Sequence, residues 1–202
     1  MVVLTEGEIA NNWKRYIQAL SSVDRRGIRE LIEFLEEGEF PTEPASAKYH
    51  LNTRGGLCLH KLNVLYAARF FFGTSVLPEI RSVPDESIIV AALCHDLCKH
   101  KRYVENKDGT YSYAESGSFC LGHGEASLYV ARTYIPLTDS EAMMIRWHMG
   151  PYDNGDYMKN QRYIEKYPEV LLFHIADNYA SHYLDTLEEG LPHRFLLPGV
   201  DI

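Results

Sequence analysis

The chain has 202 residues and a formal net charge of −8 at pH 7, from 28 acidic and 20 basic side chains. Hydrophobic residues make up 46% of the sequence and charged residues 24%, which is ordinary for a globular protein and excludes collagen-like, low-complexity and disordered chains. The acidic balance argues against a basic groove for long nucleic acid, although metal ions can supply local positive charge for a short nucleotide.

The hydrophobic pattern predicts an all-α fold with a small β-hairpin insertion. Apolar residues recur three and four positions apart along each predicted helix. The predicted helices span residues 6–20, 24–37, 57–72, 84–99, 122–134, 138–148 and 168–189. Thr5 is the predicted N-cap of the first helix, and Thr138 with Glu141 predicts a capping box at the sixth. Residues 102–113 predict the hairpin, because Lys107-Asp108-Gly109 is a turn signal.

The whole chain, residues 1–202, is predicted to form one domain. A helical extension over residues 1–39 precedes a core over residues 40–190. We find no internal repeat and no Gly/Ser-rich linker, so residues 78–83 are predicted to be a loop inside this domain.

Three segments are predicted to be irregular. Residues 40–56 form a long connection, and loops of this length in compact domains are usually functional or disordered. Residues 150–161 are polar and are predicted to face substrate or form a lid. The tail from Gly190 contains two prolines and is predicted to be irregular.

The cellular compartment is predicted from segments that the sequence lacks. No apolar run reaches the roughly 18 residues of a membrane-spanning helix, and the amino terminus lacks the charged start and apolar stretch of a signal peptide. We therefore expect a cytoplasmic protein without membrane contact. The cysteines are expected to be free thiols; they are Cys58, Cys94, Cys98 and Cys120.

Residues that commonly bind metal ions occur on five predicted helices, each among apolar neighbours. They are His60, His95, Asp96, His123, His148 and Asp177. A single histidine in such a place is more often a hydrogen-bonded core residue, and a His-Asp pair is a common dipeptide. A buried unpaired carboxylate is costly, however, and a divalent cation would stabilise both Asp96 and Asp177. Mixed imidazole and carboxylate ligands favour Fe, Mn, Zn or Ni over Mg or Ca.

The order of these residues resembles the HD superfamily of metal-dependent phosphohydrolases, and His123 and His148 resemble its binuclear branch. The resemblance extends from about Phe40 to Asp185. Several segments look like the HD domain of YhaM-type 3′–5′ exoribonucleases: Phe40-Pro41, Pro44-Ala45-Ser46, Lys48, His50, Arg54-Gly55-Gly56-Leu57, Leu121-Gly122-His123 and residues 174–178. Two features depart from the pattern. Cys98 stands where the family often has glycine, and only about 39 helical residues replace the nucleic-acid-binding domain that precedes the HD domain in those exoribonucleases.

The resemblance implies an HD-domain helical bundle that holds two divalent ions, which would be Mn, Fe, Ni or Zn. One ion would be bound by His60, His95, Asp96 and Asp177, and the second by Asp96, His123 and His148, with Asp96 bridging. Two such ions suit phosphoester hydrolysis by a metal-activated water, without a serine or cysteine nucleophile.

Further residues are candidates for catalysis or substrate binding. Lys99 follows Asp96 by three positions and is predicted either to bind a phosphate oxygen or ligating carboxylate, or to be a solvated lysine at a helix end. Arg54 lies in a glycine-flanked loop and is predicted to clamp a phosphate. His50 and His174 are predicted to support ligands or contact substrate.

The aromatic and remaining polar residues suggest weaker roles. Tyrosines that would wall a pocket or fill the core are Tyr103, Tyr111, Tyr113, Tyr152 and Tyr157. Lys48 and Arg146 are weaker candidates for the site, and surface positions are predicted for His100, His182 and His193.

The leading hypothesis is a phosphomonoesterase or phosphodiesterase that acts on a nucleotide, a short nucleic-acid end or another small phosphoester. One alternative is a di-iron oxygenase of the HD type, since the same ligand types serve both chemistries. Another is a degenerate HD module that binds a nucleotide without catalysis.

Overall fold

The computed structural model describes residues 3–114, 121–150 and 157–186, and this part of the chain is mostly helical, as predicted. Its α-helices are α1 (Glu6–Ser21), α2 (Ile28–Glu37), α3 (Gly56–Thr74), α4 (Pro78–Arg81), α5 (Asp85–Cys94), α6 (His123–Tyr134), α7 (Asp139–Trp147), α8 (Tyr157–Lys166) and α9 (Pro168–His182). Short 3₁₀ turns occur at Phe40–Thr42, Leu97–Lys99 and Leu184–Thr186. None of the helices in these residues is both long and apolar enough to cross a membrane.

The predicted hairpin is confirmed. Strands β1 (Tyr103–Glu105) and β2 (Tyr111–Tyr113) are antiparallel, with Tyr103 opposite Tyr113. Gly109 in the connecting turn has a φ of 79°, which a side chain would disfavour.

Helices α3 and α5 form the centre of the fold. Helix α3 packs against α1, α5 and α9, and α5 also packs against α7. Every residue of α5 from Ser87 to Cys94 is buried. Because these helices are apolar on nearly all faces, neighbours must cover them on every side. Ligand-type residues in or directly after α3, α5, α7 and α9 therefore face one interior.

Side-chain caps define two helix starts, as predicted. Thr5 accepts a hydrogen bond from the backbone N–H of Glu8, whose carboxylate accepts from the Thr5 N–H. Thr138 and Glu141 form the same reciprocal pair at the start of α7. Each box satisfies backbone donors that have no partner within the helix.

Three predicted helix ends are wrong, and the local backbone explains the first two. Helix α2 begins at Ile28 rather than Asp24, because Gly27 has a left-handed φ of 88°. Helix α5 ends at Cys94 rather than residue 99, because Asp96 adopts φ −112° and ψ 24°. Helix α9 ends at His182, and a 3₁₀ turn follows.

Two predicted loops contain helices. Residues 78–83 include α4, and part of the proposed lid at residues 150–161 is the start of α8. Helix α8 is short and polar on average, and this polar composition led to its interpretation as a loop. Residues 151–156 and the predicted irregular tail lie outside the described residues.

A buried ion pair joins the extension to the helices around the core. The Glu141 side chain is fully buried, and its Oε2 lies 2.7 Å from Arg25 Nη1. Ser87 Oγ and the Thr138 N–H also donate to this carboxylate. Arg25 additionally contacts Glu86.

Burial alone would raise the pKa of Glu141, but these donors hold it below its ordinary value. The ion pair therefore stabilises the fold at pH values above the ordinary pKa of glutamate. This stabilisation is lost as the pH falls through the lower pKa that Glu141 has in the folded protein.

We expect Arg25→Met to lower the free energy of unfolding at pH 7 by about 3–5 kcal/mol, because it leaves the Glu141 carboxylate buried without its cation. Urea unfolding at pH 7 and in acid measures this loss, which shrinks as Glu141 becomes protonated. The double variant Arg25→Met/Glu141→Gln recovers part of it. The control is Arg29→Met, which removes an exposed pair with Glu33 and changes little. Equal effects of the two arginine substitutions would contradict the prediction.

Candidate metal centre

The six predicted metal-ligand residues lie together in the structure. His60 comes from α3 and Asp177 from α9, and the remaining four lie at helix ends: His95 and Asp96 directly after α5, His123 at the start of α6, and His148 directly after α7. The side chains of His60, His95, Asp96 and His148 are at most 2% exposed. Five helices thus supply one buried group of imidazoles and carboxylates.

Glycines allow the helices that carry these residues to approach closely. A Cβ at Gly124, the residue after His123, would lie 2.0 Å from the Arg146 carbonyl oxygen at the end of α7. Gly150 has a φ of 73°, and a Cβ there would lie 2.4 Å from the His174 ring. Any larger residue at either position would push apart the segments that hold His123, His148 and His174.

One set of ligand atoms surrounds a position between α3, α5 and α9. His60 Nε2 lies 3.2 Å from His95 Nε2, 3.3 Å from Asp177 Oδ1 and 3.6 Å from Asp96 Oδ2. His95 Nε2 lies 3.4 Å from Asp96 Oδ2 and 3.9 Å from Asp177 Oδ1. Ligands bound at roughly 2.1 Å to one metal ion lie about 3.0–3.4 Å apart in octahedral or tetrahedral geometry. The spacing of these four residues therefore suits a metal ion.

A second set of ligand atoms faces the other oxygen of Asp96. Oδ1 lies 2.7 Å from His123 Nε2 and 3.6 Å from His148 Nε2. Within the described residues, the buried Nε2 of His148 has no hydrogen-bond partner. An unpartnered buried nitrogen beside a carboxylate is a position where a cation would be stabilised. Two groups here could hold a metal ion: His60 with His95 and Asp177, and Asp96 with His95 and His148.

The opposite ring nitrogens of the histidines contact groups outside the metal position. His95 Nδ1 lies 2.8 Å from the Ala92 carbonyl oxygen, and His148 Nδ1 lies 2.7 Å from the Ile145 carbonyl oxygen. A carbonyl only accepts hydrogen bonds, so each Nδ1 carries a proton and each Nε2 is the ring nitrogen that faces inward. This arrangement is typical of metal-binding histidines.

The surroundings of these groups set their charge in the absence of metal. Burial alone would lower the pKa of His60, but Asp185 and Asp177 raise it to about 9. Burial, reinforced by two neighbouring imidazoles, lowers the pKa of His148 to about 3. Burial would raise the pKa of Asp96, but the lysine and histidines around it hold it well below its ordinary value. Asp96 is therefore ionised and His148 neutral near pH 7, as metal ligation requires.

Asp185 belongs to the site, although the sequence analysis did not single it out. Its Oδ2 accepts a 2.7 Å hydrogen bond from His60 Nδ1, and its Oδ1 accepts one from Asn63. His50 Nε2 lies 3.9 Å from the same Oδ2, and the His50 ring stands 4.8 Å from that of His60. Asp185 therefore orients His60, and His50 lines the site beside it. The only sequence signal was an acidic residue soon after the last predicted ligand.

His174 and Lys99 support the site in different ways. His174 Nδ1 donates to the His148 carbonyl oxygen at 2.7 Å, which fixes the backbone of a candidate ligand. Lys99 Nζ lies 2.7 Å from Asp96 Oδ2, and its side chain is 12% exposed. Lys99 is therefore paired at the site, and the reading of it as a solvated helix-end lysine is wrong.

Arg54 does not reach the site. Its Nε donates to the Glu6 carboxylate of α1 at 3.1 Å, and about half of its side chain is exposed. The glycine-flanked loop precedes α3, as predicted. The Arg54 guanidinium, however, pairs with Glu6 at the acidic start of α1 instead of lining the site. The phosphate clamp predicted for Arg54 is not supported by this placement.

An open cavity of about 1100 Å³ leads to the candidate metal centre. Its floor includes His60, Asp96, His123, His148 and Asp177. Its walls include residues 46–50, Lys99, Arg102, Tyr103, Tyr113 and His174. Two of the predicted wall tyrosines thus line it. Tyr111 does not, Tyr152 lies outside the described residues, and only the helical backbone of Tyr157 is described.

Of the histidines predicted at the surface, His182 is exposed and His100 is buried. His182 is exposed, as predicted, and also lines the cavity. The His100 side chain is only 2% exposed, so its surface prediction is wrong. Its ring packs edge-on against Phe34 of α2, and its Nδ1 lies 3.0 Å from Glu43 Oε2. Packing of the amino-terminal extension therefore buries His100. His193 lies outside the described residues.

The cysteines in the described residues are free, as predicted. Burial raises the pKa of both Cys58 and Cys94 to about 12, so these thiols are inert core residues. Cys98 differs from them, because its Sγ lies 2.9 Å from His123 Nδ1. The departure from glycine at position 98 therefore places a sulfur against a candidate ligand.

In comparisons with protein families, curated proteins and solved structures, none matches this chain. The resemblance to the HD superfamily accordingly stays a prediction.

We expect Asp185→Asn to weaken Mn²⁺ binding by about 10–100-fold, because the amide no longer offers His60 Nδ1 a charged acceptor. Calorimetric titration of metal-free protein measures the affinity, and circular dichroism checks the fold. The same substitution at the exposed turn residue Asp108 is the matched control and leaves the affinity unchanged. Unchanged affinity in Asp185→Asn would show that Asp185 does not support the metal ligands.

Proposed function

We propose that this protein is a metal-dependent phosphohydrolase with an HD-type fold and two divalent ions, acting on a nucleotide or another small phosphoester. The observation that carries the proposal is the position of the Asp96 carboxylate between two sets of inward-facing Nε2 atoms. Oδ2 faces His60 and His95, and Oδ1 faces His123 and His148. A carboxylate that presents one oxygen to each set suits the bridge between two cations.

The donor set fits divalent transition metals. Imidazole nitrogens and carboxylate oxygens suit Mn, Fe, Ni or Zn. The first ion would be held by His60, His95, Asp96 and Asp177, and the second by Asp96, His123 and His148. When bound, such ions lower the pKa of a coordinated water toward neutrality and neutralise charge on phosphoryl oxygens.

Neighbouring residues set the charge and orientation of this centre. Lys99 remains paired with Asp96 Oδ2 at 2.7 Å, which holds the carboxylate in one orientation. The neutral His50, whose pKa burial lowers to about 4, adds no positive charge beside His60. A substrate phosphate that enters from the cavity thus meets the ligand group at a floor otherwise closed to solvent.

The cavity wall favours an anionic substrate. Lys48 and Arg102 line it, and neither has an ion-pair partner in the described part of the chain. The Arg102 guanidinium lies 5.5 Å from the Tyr113 ring centroid, which orients it without neutralising its charge. Uncompensated cations at the mouth of a site in a chain of net charge −8 would attract a phosphate group.

The size and aromatic wall suit a nucleotide. The cavity of about 1100 Å³ is large enough for a mononucleotide or a short strand end. Tyr103 and Tyr113 lie on paired strands with their rings 5.3 Å apart, and both line the cavity. Exposed tyrosine faces stack on nucleobases without regard to sequence.

Asp96→Ala is expected to abolish hydrolysis of a phosphoester panel that includes nucleoside monophosphates, cyclic nucleotides, short oligonucleotides and nitrophenyl phosphates. Both metal positions lose a ligand in this variant. Assays with and without oxygen accompany the panel, and circular dichroism checks the fold. Hydrolysis that survives in Asp96→Ala would contradict the proposal. Oxygen-dependent turnover without hydrolysis would instead favour the di-iron oxygenase.

Arg102→Met is expected to raise KM for the phosphoester substrate by about 10–100-fold with a smaller change in kcat, because a charge-assisted hydrogen bond contributes about 1.5–3 kcal/mol. Arg54→Met is the matched control, since Arg54 pairs with Glu6 outside the cavity. Steady-state kinetics of both variants make the comparison. Equal KM values for the two variants would remove Arg102 from the substrate site.

A further inference from the structure

Cys98 contacts a candidate metal ligand on the side away from the metal position. Its Sγ lies 2.9 Å from His123 Nδ1, whereas His123 Nε2 lies 2.7 Å from Asp96 Oδ1. The two nitrogens lie on different edges of the imidazole ring. The sulfur is therefore held behind the ring and outside the space between Asp96, His123 and His148.

His123 needs such a partner because of its place in the fold. His95 and His148 each donate from Nδ1 to the carbonyl oxygen three residues earlier, at the end of their own helix. His123 is the first residue of α6, so no preceding turn of that helix offers it a carbonyl. Its acceptor must come from another segment, and Cys98 supplies the sulfur.

Cys98 is itself fixed against α6. Its backbone N–H lies 3.3 Å from Ser127 Oγ, one helical turn beyond His123, and Ser127 is fully buried. The 3₁₀ turn Leu97–Lys99 is thus tied to α6 by two contacts, one through the backbone and one through the thiol. The same turn follows Asp96 directly, so it links the carboxylate to the histidine that faces it.

We propose that Cys98 is a positioning residue for the second metal ion: its sulfur accepts the His123 Nδ1–H and thereby fixes the tautomer and ring orientation that turn Nε2 toward Asp96. This inference rests on the proposed two-ion function. The two ion positions are expected to respond differently, because the position held by His60, His95, Asp96 and Asp177 does not include His123 as a ligand. Loss of the sulfur is therefore expected to weaken binding of the second ion and to leave binding of the first ion unchanged.

The test is a titration of metal-free wild type, Cys98→Ala and Cys98→Ser with Co²⁺, followed by calorimetry and visible absorption. We expect wild type to bind two equivalents. In Cys98→Ala the first equivalent binds as in wild type and the second binds about 10–100-fold more weakly. Cys98→Ser recovers most of this loss, since a hydroxyl oxygen also accepts the Nδ1–H. Cys94→Ala is the matched control, because Cys94 is a buried thiol four residues earlier, and this variant is expected to bind both equivalents normally.

Several results would overturn the assignment. Two tight equivalents in Cys98→Ala would show that His123 needs no sulfur, and equal weakening of both would show a general packing defect. If Cys98→Ser bound the second equivalent as weakly as Cys98→Ala, Cys98 would not act as the hydrogen-bond acceptor of His123. A thiolate-to-cobalt charge-transfer band in wild type would make Cys98 a direct ligand. Fewer than two equivalents in wild type would contradict the proposed function itself, before Cys98 is considered.

Discussion

A buried carboxylate with four imidazoles around it is the constraint on which this structure depends. The Asp96 side chain is 2% exposed, and isolated burial of such a charge is very unfavourable. Lys99 compensates part of the charge at 2.7 Å, but the bare nitrogen of His148 and the close approach of His60 to His95 still call for a cation. Without metal, a protonated His60 supplies part of that positive charge, and these buried His and Asp groups could also hold a metal ion.

The fold is arranged to bring this group together. Helix α5 is buried on all sides and ends at Cys94. Consecutive residues of an intact helix point about 100° apart. Because the helix breaks here, the adjacent His95 and Asp96 can both face inward. Helix α3 brings His60, and the close contact at Gly124 brings α6 against the end of α7. The outer contacts then fix the ligands: Asp185 holds His60, and backbone carbonyls hold two other histidines.

Local sequence patterns were sufficient to predict most helices and the six clustered residues, because both depend on short-range spacing and on polar residues placed in apolar stretches. Long-range contacts were not visible in the same way. Asp185 reaches His60 from the 3₁₀ turn that follows α9, and Cys98 contacts a histidine 25 positions away. Arg54 is drawn out by Glu6 of the amino-terminal extension, and His100 is buried by the same extension. Contacts between segments that are distant in the sequence determine the roles of these residues, and such contacts leave no local pattern in a single sequence.

The most direct test of the account is anomalous diffraction from crystals of the protein grown with Mn²⁺. Two anomalous peaks that share Asp96 are expected, one among His60, His95 and Asp177 and the other beside His123 and His148. A single peak would contradict the two-ion arrangement. The absence of any peak beside Asp96 would contradict the metal centre, and with it the proposed hydrolase.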